Sequence, residues 1–155
     1  MMVNRILAAI LLTVCAVPAA AAAQERPIKL QSDVKLVRQA PQGDAPELVA
    51  AEGVVPGDTL VFTTSYRNEG TSAISDFVIV NPVPSDLILT DEAAGATEVS
   101  VDGGKNWGPL TALTVVKEDG EKRPATAQDI THMRWVFSSV APSQTGEVQF
   151  SARVR

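Results

Sequence analysis

The chain has 155 residues, 45% hydrophobic and 20% charged, with a formal net charge of −5, one cysteine and one histidine. An acidic balance without a basic cluster argues against nucleic acid and against anionic membrane surfaces as partners. A single His and a single Cys cannot supply the several ligands of a His/Cys metal centre, and the length suits one domain.

Met1 to Ala23 reads as a Sec signal peptide: Arg5 supplies a short basic n-region, Ile6 to about Val17 the apolar run, and Ala21-Ala22-Ala23 the small-residue cleavage site. An uncleaved anchor is the competing reading, since Ile6 to Ala23 approaches spanning length, but Pro18 and the small-residue tail favour cleavage. Cys15 follows Val14, where a lipoprotein signal requires a small residue. Cleavage after Ala23 leaves 132 residues (155 − 23), a net charge of about −6 once Arg5 is gone, no cysteine and no stable membrane span. The expected location is the periplasm or the extracellular cell surface, and an exported domain without a disulfide is held by its core alone.

In the mature part, Ile28, Leu30, Val34 and Leu36 take even positions and Lys29, Asp33 and Lys35 odd ones, which predicts a first strand broken near Gln31-Ser32. Pro41 to Pro46 reads as a loop and Leu48 to Ala51 as a short edge strand, with the prolines guarding that edge. Pro56-Gly57-Asp58 is a turn signal, because Gly after Pro takes the positive φ of a type II turn. Beyond it Leu60, Phe62, Thr64 and Tyr66 share one face and Val61, Thr63, Ser65 and Arg67 the other, the period of a half-buried strand.

After the Asn68-Glu69-Gly70 turn a second strand reaches Pro84, with Phe77 and Ile79 in register with Val83, so that it packs beside or opposite the first. Val61, Val78 and Val80 point away from the core faces and form a candidate partner-contact face; the plainer reading is that branched residues favour strands anywhere. Asp86 to Thr90 predicts a short strand, and Asp86, Asp91 and Glu92 make the densest acidic spot, which lacks a D-x-D-x-D-G calcium loop and reads as a solvated turn.

Ser100-Val101-Asp102-Gly103-Gly104-Lys105-Asn106-Trp107 has the S-x-D-x-G-x-x-W spacing of an Asp-box hairpin. Asx-turn chemistry lets the Asp102 carboxylate hold loop amides, Gly104 permits the tight turn, and Trp107 packs beneath, so Ser100, Asp102, Gly104 and Trp107 are structural residues. Propellers carry several such boxes, but a domain this short cannot close one, and a single copy does not indicate a glycosidase.

Leu110 to Val116 is expected to complete that hairpin, and Lys117 to Asp129, with its Asp119-Gly120 turn, forms a charged loop that is a second candidate contact region. Met133, Trp135 and Phe137 then alternate with His132, Arg134 and Val136; after the Ala141 to Gly146 turn, Val148, Phe150, Ala152 and Val154 alternate with Glu147, Gln149, Ser151 and Arg153. Trp135 is expected between two sheets, and with strand pattern running to the last residues any retention in the envelope would be non-covalent.

Val55-Pro56-Gly57-Asp58-Thr59-Leu60-Val61-Phe62 followed by Tyr66-Arg67-Asn68-Glu69-Gly70, with Pro84, Trp135 and the Val140-Ala141-Pro142-Ser143 turn, resembles the bacterial conserved repeat domain family, DUF11. The resemblance spans roughly Val34 to Val154 and implies an immunoglobulin-like fold. It departs at Ser143, where the family usually has Gly, and at Asn81-Pro82, where Asp-Thr is frequent.

The expectation is therefore an all-β protein: one immunoglobulin-like antiparallel β-sandwich of about seven to nine strands behind a signal peptide. Its role is structural or protein-binding in the bacterial cell envelope, with another envelope or surface protein as partner. A carbohydrate-binding module that uses exposed Trp107 or Tyr66 on polysaccharide is the alternative. No catalytic residue, cofactor or metal is assigned, since no Ser has a His partner in the pattern, and carboxylate pairs such as Asp102 with Glu98 or Asp86 with Glu92 would need a cleft.

Overall fold

The computed structural model describes residues 27–39, 45–95 and 97–155, so the signal-peptide reading of 1–23 and most of the 41–46 loop lie outside it. In chain order the strands are β1 (Ile28–Arg38), β2 (Glu47–Ala50), β3 (Thr59–Asn68), β4 (Ile74–Pro82) and β5 (Leu87–Leu89). A one-turn helix α1 (Asp91–Gly95) follows, then β6 (Glu98–Ser100), β7 (Thr114–Val116), β8 (Lys122–Pro124), β9 (His132–Val140) and β10 (Thr145–Val154). Two antiparallel sheets, of order β2-β1-β3-β10-β5 and β4-β9-β6, face each other as a sandwich, and β7 and β8 form a separate hairpin.

β3 is central to the larger sheet, and its alternation is written in burial: Leu60, Thr64, Tyr66 and Asn68 are buried on one face, with Phe62 half-buried among them. Phe62 stacks on its cross-strand neighbour Phe150 with ring centroids 4.8 Å apart and planes 7° from parallel. Opposite them, Ile79 and Met133 bring the inner face of the smaller sheet into the core. Trp135 lies between the sheets, packed against both apolar clusters and 6.2 Å from Phe150. β4 packs opposite β3 rather than beside it, as the hydrogen bond between the inward side chains of Asn81 and Thr64 shows.

One end of the sandwich is closed by Asn68, which is fully buried. Its amide donates to the carbonyls of Ser72 (2.9 Å) and Val140 (3.0 Å), while its side-chain oxygen accepts the N–H of Gly70 at 2.9 Å. Its backbone N–H reaches Gln144 and its carbonyl accepts from Ser143, both at 2.9 Å. Since Asn68 ends β3 and Val140 ends β9, one side chain ties the two sheets together. Beside it Tyr66 is buried between Phe77 and Phe137, its ring lying over Gly146, where an added Cβ would overlap the phenol.

Two expectations are corrected, and the solvated acidic turn is made more specific. β1 is unbroken and pairs with β3 from Ile28 opposite Asn68 to Leu36 opposite Leu60; Gln31 and Ser32 keep the ladder because their outward or margin positions carry no apolar requirement. Leu30 and Val34 share the core-facing parity but are 52% and 37% exposed, because a five-stranded sheet overhangs a three-stranded one along this margin. The acidic turn at Asp91-Glu92 is the first turn of α1, capped by the Thr90 hydroxyl accepting the Ala93 N–H at 3.3 Å. Leu110 to Val116 does not complete the Asp-box hairpin: the bridge of Val99 with Gly108 closes it, Leu110–Ala112 forms a 3-10 turn, and β7 turns away to pair with β8.

Among the described residues, two other than glycine take left-handed backbone. Asp76, at φ 52°, interrupts the pairing of β4 with β9, and beyond it the alternation is shifted: Val140 is fully buried although it has the parity of exposed Val136. Ser143, at φ 60°, occupies the turn between β9 and β10 where a Cβ is disfavoured.

Two expectations follow from this end of the sandwich. Asn68→Ala strands the buried Val140 carbonyl and removes the partner of the part-buried Ser72 carbonyl and Gly70 N–H, lowering unfolding free energy by about 2–4 kcal/mol, whereas Ser143→Gly relieves the turn and raises it by up to about 1 kcal/mol, both read from urea midpoints.

Candidate interaction face

The outer face of the three-stranded sheet joins an apolar stripe to an aromatic-cationic cluster. Val78 of β4 pairs with Val136 of β9, and Val80 pairs with Arg134, which in turn pairs with Glu98 of β6. The three valines are 40%, 57% and 46% exposed for Val78, Val136 and Val80 respectively, so the stripe meets solvent. Next to it the Arg134 Nε donates to Glu98 Oε2 at 2.8 Å, and the guanidinium carbon lies 4.6 Å from the centroid of the Trp107 ring. His132 lies on the same face, edge-on to Trp107 at 6.4 Å and hydrogen-bonded through Nδ1 to the Thr131 hydroxyl at 3.1 Å.

Val61 does not belong to this face. It is an outward residue of β3, in the other sheet, so it lies on the opposite side of the sandwich from Val78 and Val80. The residue that shares their surface is Val136, and its alternation with Met133 and Trp135 was the signal for it.

The Ser100–Trp107 hairpin supports the cluster from below. Asp102 Oδ1 accepts the backbone N–H groups of Lys105 (3.0 Å) and Asn106 (2.9 Å) and the Ser100 hydroxyl (2.8 Å). The Asn106 amide donates to Oδ2 at 2.6 Å. Ser100, fully buried, accepts the Gly104 N–H at 2.9 Å, and the Trp107 indole donates to the Gly104 carbonyl at 2.8 Å. Gly103 and Gly104 take φ of 77° and 85°, which glycine adopts without penalty. The Trp107 ring is thereby fixed half-buried, one side toward Gly104 and the other toward Arg134. The N–H of Asn106 first, then its amide and the Ser100 hydroxyl, hold the Asp102 carboxyl well below the usual carboxylate range.

The Pro56-Gly57-Asp58 turn lies elsewhere and is stitched to the end of β10. Gly57 has φ 97°, Asp58 N–H reaches the Val55 carbonyl at 3.1 Å, and the Asp58 carboxylate accepts the Val55 N–H at 2.9 Å. Gly57 donates to Val154 and Val154 donates to Asp58, both at 2.9 Å. Tyr66, buried at 7% exposure, shares no surface with Trp107. Glu98 and Asp102 are each engaged by other partners, Arg134 and the hairpin amides. Among the described residues no three His, Cys, Asp or Glu side chains gather where they could share a metal ion, and no helix is long and apolar enough to cross a membrane.

Because the Asp102 carboxyl is depressed in the fold, its contribution to stability is complete above the unfolded value of 3.8 and is lost as pH falls below it. Asp102→Asn is expected to lower the melting temperature at neutral pH and to flatten the acid limb of the stability profile relative to wild type, measured by thermal unfolding from about pH 6 to about pH 3.

A scan of family models and searches of curated proteins and of solved structures find no match to the chain.

Proposed function

We propose that the chain is an exported, non-catalytic module of the bacterial cell envelope, immunoglobulin-like as its resemblance to the conserved repeat domain family implies, that acts through a protein partner. The observation that carries this reading is the valine stripe of β4 and β9, three exposed branched side chains side by side on one sheet face. Contiguous apolar surface of this kind, bordered by polar groups, is the usual mark of a contact site. Arg134 and Trp107 at its border are the residue types that most often anchor interfaces, and here both are held in place, by Glu98 and by the Asp102 hairpin.

A carbohydrate-binding module draws less support. Sugar rings are held by exposed aromatic faces, whereas Tyr66 lies between the sheets and the Trp107 face is occupied by Arg134.

The test is capture from a native envelope fraction by the exported chain and by a Val78→Ser, Val80→Ser, Val136→Ser variant, with Val61→Ser as a control on the opposite sheet. The expected result is a protein retained reproducibly by wild type and by the control, and lost from the triple variant. Retention on cell-wall polysaccharide in place of protein would transfer the assignment to the carbohydrate reading. The three outward substitutions together cost roughly 1 kcal/mol of sheet propensity, small enough to leave the fold intact.

A further inference from the structure

We infer that the β7–β8 hairpin is an arm that opens from the sandwich as a unit of its own, with the Arg123–Asp129 ion pair as its latch. The arm leaves the body after Leu113 and returns at Ala125, and the residues on either side, Leu113 and Ala127, pack against the main core. Between them nothing is buried: Thr114, Val116, Lys122 and Pro124 are exposed, as is the whole tip, and Val116 is 59% exposed. Neither strand pairs with a strand of the sandwich. A two-stranded hairpin without a covered face is marginal in water, so little holds this one closed.

The tip organises itself. Lys117 N–H donates to the Glu121 carbonyl at 2.8 Å and Gly120 N–H to the Lys117 carbonyl at 3.0 Å, while the Asp119 carboxylate accepts the Glu121 N–H at 2.9 Å. The base is different. One backbone bond, Ala125 N–H to the Leu113 carbonyl at 3.0 Å, closes it, because the Leu113 N–H turns back to the Leu110 carbonyl. What ties the arm to the body is Arg123, whose two guanidinium nitrogens donate to the two oxygens of Asp129 at 2.7 and 2.6 Å.

Asp129 belongs to the body. It ends the 3-10 turn Ala127–Asp129, where the Thr126 N–H and hydroxyl both reach its Oδ2 at 2.8 Å, and it precedes Ile130, a buried core residue. Arg123 first, and Thr126 after it, hold this carboxyl well below the usual carboxylate range, so the latch stays charged through neutral pH. A fork of two parallel charge-assisted bonds is geometrically demanding, and the half-buried Val115 beside Arg123 is the one valine of the arm with partial cover. Losing the fork therefore frees the arm without touching the core.

Amide hydrogen exchange of the full chain tests this, with Arg123→Ala, Arg123→Lys and Thr126→Ala as variants. In wild type the amides of 114–123 and of Ala125 are expected to exchange together and faster than those of Phe62, Met133 and Val148. Arg123→Ala speeds that segment roughly three- to tenfold, as suits a partly exposed bidentate pair, and leaves the three core amides unchanged; Arg123→Lys gives a smaller increase. Exchange of the arm in step with the core, or an arm indifferent to Arg123→Ala, would overturn the proposal. So would an equal effect of Thr126→Ala, which alters the turn and leaves the guanidinium fork in place.

Discussion

Asn68 is the constraint on which the sandwich depends. Two sheets that share only apolar contacts can slide over one another at small cost, because dispersion and burial have little directionality. A buried amide with three directed hydrogen bonds has one satisfactory position, and it joins the end of β3 to the end of β9 and to both turns nearby. The neighbouring choices follow from that junction. Tyr66 lies over Gly146 because the strands converge there, and Ser143 accepts a left-handed backbone because its N–H is required at the Asn68 carbonyl. Asp76 makes a complementary adjustment on β4: beside it the alternation is shifted, and the Val140 side chain is buried while its carbonyl accepts from the Asn68 amide.

Strands with strict alternation were legible from residues alone. β3, β9 and β10 each carry a period of two over six or more positions, and that pattern has no helical counterpart. What was hidden were features decided by neighbours in space. The continuity of β1 comes from pairing with β3 along its length, which overrides the polar Gln31-Ser32 step. α1 is a single turn held by one Thr cap, below the length at which periodicity is detectable. Asn68 looked like an ordinary turn residue, since a sequence displays the turn it starts and not the carbonyl 72 positions away that it binds.

The same limit shaped the candidate face. Alternation tells which residues of one strand point outward, and it identified Val61, Val78 and Val80 in that sense. It does not tell which sheet a strand joins, and β3 and β4 join different ones. Consecutive strands that lie opposite each other turn their outward residues to opposite sides of the molecule. The Asp102 hairpin was legible as a motif because its contacts are local, within four residues. Its placement of Trp107 under Arg134 depends on β6 pairing with β9, a contact across more than thirty residues.

β4 also has a free side. It is the outermost strand of its sheet and, at nine residues, far longer than the other edge strands β2, β5 and β6. Its middle, Phe77-Val78-Ile79-Val80, is uncharged and built of strong strand formers, the kind of edge on which another strand can pair. What bounds this window is Asp76, kinked and charged, at one end and Pro82, unable to donate, at the other. These two residues are placed as gatekeepers of the edge, exposed positions whose charge and missing N–H oppose the pairing of a second chain.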